Sequence, residues 1–306
     1  EVYDDLIVFQ GASYFRALGQ NQAYGLSLRG ISMNTLDGPE DFPAFTKLWL
    51  RKPAEGDDFL RIFALLEGKE VCGAYRFDIT PGGDTEIAVT ARLFFREGGA
   101  SQAGIAPITS MFVHGENSNH PPRDWRPEVH DSDGLLIHAD RDWTWHPLEN
   151  LPGRYVRRIP AAKLRGFGLM QRDRDPANYQ DLEADYERRP SAWVTPNGTW
   201  QPGSVVLYTF GTASEATDNV NAFWSPERAS AEAGSLDFAY TISLRLKDPP
   251  SKLARVLETR VGGRTLDETA HTVVIEFSRP ESISVNEIAD LSASFHPGKA
   301  ELIEPT

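Results

Sequence analysis

The sequence has little of several features, and each shortage excludes a class of protein. Only one of the 306 residues is a cysteine, Cys72, so the chain cannot form an internal disulfide and offers no cysteine-based zinc site. No apolar run approaches the roughly 18 residues of a membrane-spanning helix, and we expect no membrane insertion. Basic residues number 31 against 44 acidic ones, for a net charge of −13. Because nucleic acids select surfaces rich in Lys and Arg, this balance predicts no nucleic-acid partner.

Sequence motifs of several enzyme classes are also missing. The sequence has no Gly-rich phosphate loop, no Gly-x-Ser-x-Gly nucleophile elbow and no zinc-protease helix. Cys72 lies in the strand-like stretch 70–74, where a catalytic thiol is not expected. Carboxylates therefore remain as the candidate catalytic groups, and we expect neither a metal nor another cofactor.

Strand patterns are what the sequence has in abundance. Apolar residues alternate with polar ones over 86–95, 238–246 and 272–277, and the stretches 59–65 and 203–210 are also strand-like. Alternation with a period of two predicts antiparallel sheets with one face in water. The 25 Gly and 21 Pro punctuate these runs as turns. The pattern predicts an all-β protein, either a sandwich or a barrel.

Helix patterns are few. Residues 176–188 place Leu182 and Tyr186 on one face, behind Asp175 as a candidate N-cap. A shorter candidate covers 107–113. Neither segment is long enough to change the prediction of a protein built from strands.

One domain boundary is readable. A polar linker with paired prolines, 246–255, follows the last long strand pattern. We therefore expect residues 1–245 to belong to one domain. The remaining stretch, 256–306, is again β-patterned but short for a free-standing domain. It is either part of a second domain or a hairpin extension of the first.

Aromatic and histidine residues are unevenly spread. Six of the seven Trp lie within 125–224, and five of the seven His within 114–146. Sugar sites combine aromatic platforms with carboxylates and arginines, because pyranose rings offer apolar faces and many hydroxyls. For any single Trp, packing in a β-sandwich core is the commoner role. The clustering favours a carbohydrate-directed protein without proving it.

Three polar stretches are candidates for chemistry. Within the first stretch, 125–138, residues 131–134 match the opening of a calcium loop. The later glutamate of such a loop is missing, and a tight turn at Asp133 and Gly134 explains these residues equally well. The same stretch holds four metal-ligand side chains in no strong motif: Glu128, His130, Asp131 and His138. A second stretch carries the carboxylates of Glu215 and Asp218, which alone are weak indicators. The third, 171–193, mixes opposite charges and is typical of surface ion pairs.

Taken together, short motifs over nearly all of 1–245 resemble one family, in the family's own order. The matching stretches are 11–16, 24–30, 126–135, 166–172, 189–194 and 217–219, followed by Phe223 and Trp224. The chain resembles the bacterial periplasmic glucan biosynthesis proteins of the OpgG/OpgD family, also called MdoG/MdoD.

The resemblance implies a large antiparallel β-sandwich of the galactose-mutarotase type as the catalytic domain, followed by a smaller Ig-like β-sandwich. Family members carry a further segment before the position of Glu1 and a longer Ig-like domain, so we expect this chain to be truncated at both ends. It also implies a periplasmic location, with a signal peptide outside this chain.

The implied partner is linear β-1,2-glucan, and a dimer is possible. The leading function is an inverting endo-β-1,2-glucanase of osmoregulated periplasmic glucan biosynthesis. One alternative is a transglycosylase or cyclising enzyme on the same scaffold, and the other is a non-catalytic glucan-binding protein.

The resemblance also implies roles for individual residues. Asp218 matches the family's general acid, Asp131 the carboxylate on the base side, and Glu215 a neighbour that we place in the same hydrogen-bond network. An inverting glycosidase needs one protonated carboxyl and one carboxylate that activates water. Seven residues are expected to contact the sugar, although packing competes as an explanation for each: Tyr14, Trp125, Arg126, His130, Arg172, Arg189 and Trp193.

Overall fold

The computed structural model describes eight ranges of the chain: 5–36, 38–96, 102–118, 124–200, 202–227, 234–251, 253–264 and 267–280. Strands dominate these ranges. Helical structure consists of one short helix, α1 Pro176–Tyr179, and a 3₁₀ turn, Tyr186–Arg188. Within the ranges described, no helix has the length and apolar character needed to span a membrane.

The strands are β1 Ile7–Phe9, β2 Tyr14–Ala17, β3 Ser27–Arg29, β4 Ile31–Met33, β5 Ala44–Arg51, β6 Leu60–Glu67, β7 Val71–Thr80, β8 Thr85–Phe95, β9 Ala103–Ser110, β10 Phe112–His114, β11 Val129–His130, β12 Gly134–Ala139, β13 Asp142–Pro147, β14 Arg154–Pro160, β15 Leu164–Met170, β16 Ser191–Pro196, β17 Gly203–Phe210, β18 Val220–Pro226, β19 Ser235–Arg245, β20 Val256–Arg264 and β21 Asp267–Phe277.

Two large antiparallel sheets form the β-sandwich that the strand pattern predicts. The front sheet has eight strands in the order β1-β2-β3-β9-β18-β17-β14, with β4 also paired to β9. The back sheet has nine strands in the order β13-β12-β15-β16-β19-β8-β7-β6-β5. Two small sheets complete the described part of the chain, β10-β11 and the hairpin β20-β21.

The core lies between the two large sheets, and the alternating sequence pattern fills it. On β7, Tyr75 and Phe77 are buried, whereas Arg76 between them is exposed. The front sheet contributes Phe15 and Leu28 to the same cluster. The rings of Phe15 and Phe77 meet edge to face, with centroids 5.3 Å apart. Burying each such side chain stabilises the fold by roughly 1.5–3 kcal/mol, which holds the sheets face to face.

The strand predictions are confirmed. The stretch 203–210 is β17, and 86–95, 238–246, 59–65 and 272–277 fall within or overlap strands of the structure. The helix prediction at 107–113 is wrong, because this segment is the end of β9 followed by β10. In β9, hydrogen bonds to β3, β4 and β18 satisfy the backbone, and tertiary pairing overrides the weak local pattern.

The helix prediction at 176–188 holds for one turn only. Asp175 caps that turn as expected, since its side chain accepts a hydrogen bond from the N–H of Ala177. Gln180 then adopts a left-handed conformation with φ of 54°, which ends the helix. Leu182, predicted to face the core, is 91% exposed.

The segment 246–251, together with 253–255, has no regular structure, and the hairpin β20-β21 that follows contacts the sandwich. The backbone N–H of Thr259 donates to the carboxylate of Glu116 at 3.1 Å. Arg172 donates to the carbonyl of Val256. Residues 281–306, expected to belong to an Ig-like domain, lie outside the described residues, so the division into domains stays a prediction.

Glycines on the outer face of the back sheet make room for indole rings. A Cβ at Gly166 would lie 2.3 Å from the ring of Trp193, and one at Gly134 would lie 2.0 Å from the ring of Trp145. Real Cβ atoms do not approach other atoms so closely, so these two rings can lie against the sheet only over glycine.

We expect Gly166→Ala to destabilise the protein by about 1–3 kcal/mol, because the added methyl group overpacks the site under Trp193. Thermal or denaturant unfolding measures the change. The matched control is Gly83→Ala, since a Cβ at Gly83 meets nothing within 4 Å. Equal unfolding midpoints for the two variants would contradict the packing argument.

Candidate active site

A row of polar side chains crosses the outer face of the front sheet. Ser27, Thr109, Asn221 and Tyr208 are direct cross-strand neighbours on β3, β9, β18 and β17. Arg16 on β2 extends the row, because its Nε donates to the hydroxyl of Ser27 at 2.7 Å. Five strands about 4.8 Å apart give the row a length of about 19 Å. The face opposite the core therefore presents a continuous polar strip.

Asp218 and Asp131 lie beside this row, near one end of β9. The hydroxyl of Thr109 donates to Oδ2 of Asp218 at 3.5 Å. The N–H of Asp131 donates to the carbonyl of Met111 at 2.8 Å. The charge of Asp218 is close enough to raise the pKa of Asp131, and Arg16 acts on both carboxyls. The structure thus brings together two aspartates that are 87 positions apart in the sequence.

Partial desolvation of the carboxyl is the main influence on Asp218, although the residue as a whole is exposed. This desolvation raises the pKa of Asp218, while the charge of Arg16 and the hydrogen bond from Thr109 partly lower it. The net shift is upward, so Asp218 keeps its proton to a higher pH than a fully solvated aspartate. The sequence offered Glu215 as a possible cause of this shift, but Glu215 is not among the groups that produce it.

Asp131 has a cationic partner that the sequence pattern did not identify. Burial raises the pKa of Asp131, and the guanidinium of Arg189, which pairs directly with its Oδ1, lowers it. The net shift is again upward. The same guanidinium lies 4.2 Å from the centroid of the Tyr186 ring. Arg126, expected beside Asp131, is instead bound to other carboxylates.

Glu215 belongs to the next part of the same network. The hydroxyl of Tyr186 donates to Oε2 of Glu215 at 2.7 Å, and Nη1 of Arg126 donates to the same oxygen at 2.7 Å. The hydrogen bond from Tyr186 is the main reason that the pKa of Glu215 is lowered. Glu215 therefore stays ionised, and it connects to Asp131 through Tyr186 and Arg189.

Four of the seven residues expected to contact a sugar lie around these carboxylates. Arg126 and Arg189 make the ion pairs just described. Tyr14 is half-buried, and burial, Glu40 and the nearby Asp218 together raise its pKa despite the opposing charge of Arg29. Trp125 is 68% exposed, beside the guanidinium of Arg126.

The other three residues are buried away from the carboxylates. His130 is 1% exposed and Trp193 is 6% exposed, with the Trp193 ring stacked 5.6 Å from that of Trp143. Arg172 lies over the ring of Trp145 at 3.4 Å from its centroid. Contacts with protein occupy these side chains and leave no free face for a sugar. We therefore propose no substrate contact for His130, Trp193 or Arg172.

The possible metal ligands are also occupied by protein. Glu128 accepts a hydrogen bond from Nε2 of His130 at 2.7 Å, and His138 stacks on Trp143 at 4.1 Å. The carboxylate of Asp133 accepts the N–H of Arg172 at 2.9 Å. Among the side chains described, no three His, Cys, Asp or Glu are arranged to hold a metal ion.

Several residues of the site were missed in the sequence. Arg16 lies in the matched stretch 11–16, but nothing local distinguishes its guanidinium from a surface charge. Tyr186 was assigned to the apolar face of a helix, whereas its hydroxyl reaches Glu215. Thr109 lies in a segment that was predicted as helix. If β9 had been recognised as a strand and its pairing known, Thr109 would have been placed beside Asp218.

Comparison with known proteins gives a consistent assignment. A family model described as "Periplasmic glucan biosynthesis protein, MdoG" matches residues 1–305. "Glucans biosynthesis protein G" of Shewanella sp. (strain ANA-3) is 46% identical over 268 residues, which are 87% of this chain and 49% of that protein. The protein of the same name from Vibrio cholerae serotype O1 (strain M66-2) is 46% identical over 264 residues, 86% of this chain and 48% of the relative.

The chain spans about half the length of the curated relatives that it matches. Among solved structures, the GH36 α-galactosidase AgaA of Geobacillus stearothermophilus is similar at a TM-score of 0.32 and 8% identity, over 71% of this chain and 30% of that one. The fold assignment rests on the strand order above and not on that likeness. The family model and the relatives agree with the resemblance seen in the sequence motifs, and the chain belongs to the MdoG family of periplasmic glucan biosynthesis proteins.

Proposed function

We propose that the protein hydrolyses linear β-1,2-glucan as an inverting endo-β-1,2-glucanase, in the periplasm, during glucan biosynthesis. The observation that supports this most is the pair Asp218 and Asp131, two carboxyls beside one polar strip, each with a pKa raised mainly by desolvation but with different partners. Asp131 is 4% exposed, whereas Asp218 lies at an exposed position of its loop. Inverting hydrolysis needs two such groups, one to protonate the leaving oxygen and one to activate water.

Asp218 is the general acid in this proposal. Desolvation keeps its proton at a pH where a fully solvated aspartate has lost it, and its direct contact is the neutral hydroxyl of Thr109. The proton is therefore available for the glycosidic oxygen of a glucan chain that lies on the polar strip. General-acid catalysis by a positioned side chain contributes about 10²–10⁴-fold in rate.

Asp131 is the group on the base side. Its ion pair with Arg189 favours the charged form, which a base needs, against the opposing effect of burial. Hydrogen bonds from Tyr186 and Arg126 keep Glu215 ionised. Glu215 therefore belongs to the same network but has no proton to donate. Inversion leaves room for a water between acid and base, with carboxyls roughly 6.5–9.5 Å apart.

The net charge of the chain and the polar groups around Asp218 and Asp131 fit a neutral sugar polymer as substrate. The net charge of −13 offers no attraction to an anionic substrate. Hydroxyl, amide and guanidinium groups on the strip match the hydrogen-bonding groups of a glucan, and the exposed face of Trp125 is available for stacking on a pyranose ring.

Two further activities fit the same residues. Transfer to a second glucan chain, or to the chain's own end, uses the same acid and differs from hydrolysis only in the acceptor. A glucan-binding protein without turnover would need the strip and the aromatic residues but not the two carboxyls.

Incubation of the full-length protein with linear β-1,2-glucan distinguishes the three activities. We expect short reducing fragments of the α anomer, detected by chromatography and by NMR at early times. Cyclic or elongated products identify transfer, and binding without change identifies a lectin-like role. Reducing fragments that first appear as the β anomer would contradict inversion.

Asp218→Asn should lower turnover by about 10²–10⁴-fold and leave glucan binding near normal, because the amide keeps the shape but has no acidic proton. Reducing-end assays and calorimetry measure the two effects. Asp237→Asn is the control, since Asp237 pairs with Arg92 on the outer face of the back sheet. Turnover that is equal in the two variants would overturn the assignment of the acid.

The pH dependence of kcat/KM reports the ionisation of the proposed acid and base, Asp218 and Asp131. Asp131 must be ionised, so activity falls on the acidic side as Asp131 gains a proton. Arg189→Met removes the charge that lowers the pKa of Asp131, and we expect the acidic limb to move to higher pH. Arg189→Lys, which keeps the charge, should move it less. An acidic limb that is unchanged in Arg189→Met would remove Asp131 from the base side.

A further inference from the structure

A buried glutamine connects the two segments that carry Asp131 and Arg189. Gln171 is 1% exposed and directly follows β15 of the back sheet. Its Nε2 donates to the carbonyl of His130 at 2.9 Å and to the carbonyl of Tyr186 at 3.2 Å. One carbonyl belongs to the residue before Asp131. The other belongs to the 3₁₀ turn that ends at Arg189.

Both polar atoms of the Gln171 side-chain amide are hydrogen-bonded in this position. Both N–H groups of Nε2 are donated, and Oε1 accepts from Nδ1 of His130 at 2.8 Å. The main-chain N–H of Gln171 donates to the hydroxyl of Ser191 at 3.0 Å. A buried amide with three hydrogen bonds to two segments has one favoured geometry, because a shift leaves a buried polar group unpaired.

The segments that it joins have little other regular structure. The strand β11 is two residues long, and the turn Tyr186–Arg188 follows a stretch without strands. Asp185, at the start of this turn, has a left-handed backbone with φ of 48°. By contrast, β15 is paired on both sides within the back sheet. The rigid element is therefore the strand, and Gln171 is a link from it to both segments.

We propose that Gln171 is a positioning residue, whose side-chain amide holds the carbonyls of His130 and Tyr186 together and so keeps Arg189 against Asp131. The inference rests on the proposed function only for its effect on rate, since the link itself is a property of the fold. Without the amide, the turn loses its link to β11. The bonds from Arg174 to the carbonyls of Glu187 and Arg189 still hold it near β15, but the ion pair between Arg189 and Asp131 loosens.

Loss of the Gln171 amide should change the pH dependence of kcat/KM, an effect that general destabilisation of the fold does not produce. A looser ion pair lowers the pKa of Asp131 less, so the acidic limb of kcat/KM moves to higher pH, as it does when Arg189 itself is replaced. Binding of glucan along the polar strip does not use Gln171, and KM should change little. A misplaced base costs up to about 100-fold in kcat.

Gln22 provides a matched control. It is 6% exposed, and its Oε1 accepts from the N–H of Gly19 at 2.7 Å while Nε2 donates to the carbonyls of Gly83 and Leu244. It thus makes the same set of bonds as Gln171, but to segments without the carboxyl pair. Replacing either glutamine should reduce stability by a similar amount.

The experiment compares Gln171→Met with Gln22→Met in the full-length protein, and Gln171→Asn with Gln22→Asn as the milder pair. We expect both Gln171 variants to speed hydrogen exchange in peptides covering 129–132 and 184–190, to lower kcat by about tenfold to 100-fold with KM within about threefold, and to move the acidic limb to higher pH. The Gln22 variants should leave exchange in 129–132 and the pH profile unchanged. The comparison with Gln22 uses 129–132, because Ala23 donates to the carbonyl of Arg188 and so ties Gln22's neighbour to 184–190.

Unchanged exchange in 129–132 and 184–190, or an equal change in 129–132 in the Gln22 variants, would overturn the positioning role. If the wild-type protein turns over no β-1,2-glucan, the proposed function fails, and hydrogen exchange still decides the role of Gln171.

Discussion

The alternation of buried and exposed side chains along paired strands is the constraint on which the site depends. On β2, Phe15 lies in the core, so Tyr14 and Arg16 must point outward. On β9, burial of Ile108 turns Thr109 to the outer face in the same way. A one-residue slip in either strand would turn these polar groups into the apolar core between the sheets and remove the strip beside Asp218. The apolar core therefore determines where the polar face lies, and packing and function are specified by the same strands.

Two carboxyls close together carry a desolvation cost, and their partners determine how that cost is offset. The cost is larger for Asp131, which is 4% exposed, than for Asp218, which lies at an exposed position. Removing a carboxylate from water costs several kcal/mol unless a cation or hydrogen bonds replace the water. Asp131 is paired with the guanidinium of Arg189, whereas Asp218 contacts the hydroxyl of Thr109 and is farther from a full charge. Desolvation alone would push both groups toward the protonated form. The two carboxyls therefore have unequal partners, an arrangement that the proposed acid and base would need.

The sequence predicted the strands well, because the period of two is a local property that core packing reinforces. The partners of the site residues were less accessible. Asp131 and Arg189 are 58 positions apart, and Arg126 and Glu215 are 89 apart, so their pairing depends on strand order in the sheets. His130 and Trp193 lie in the same motifs as residues of the cleft, yet they point into protein. Composition and motif cannot show which way a side chain faces where strands are short.

Loops carry the two carboxyls, and buried amides fix those loops to strands. Asn219, beside Asp218, accepts the N–H of Phe112 and donates to the carbonyls of Phe112 and Phe210, each at 2.9 Å. Gln171 does the same for the carbonyl before Asp131. A neutral amide suits this role because it binds carbonyls without adding a charge near the carboxyls. Neutral amides thereby hold the backbone, and the two carboxyls that we propose as acid and base make none of these hydrogen bonds.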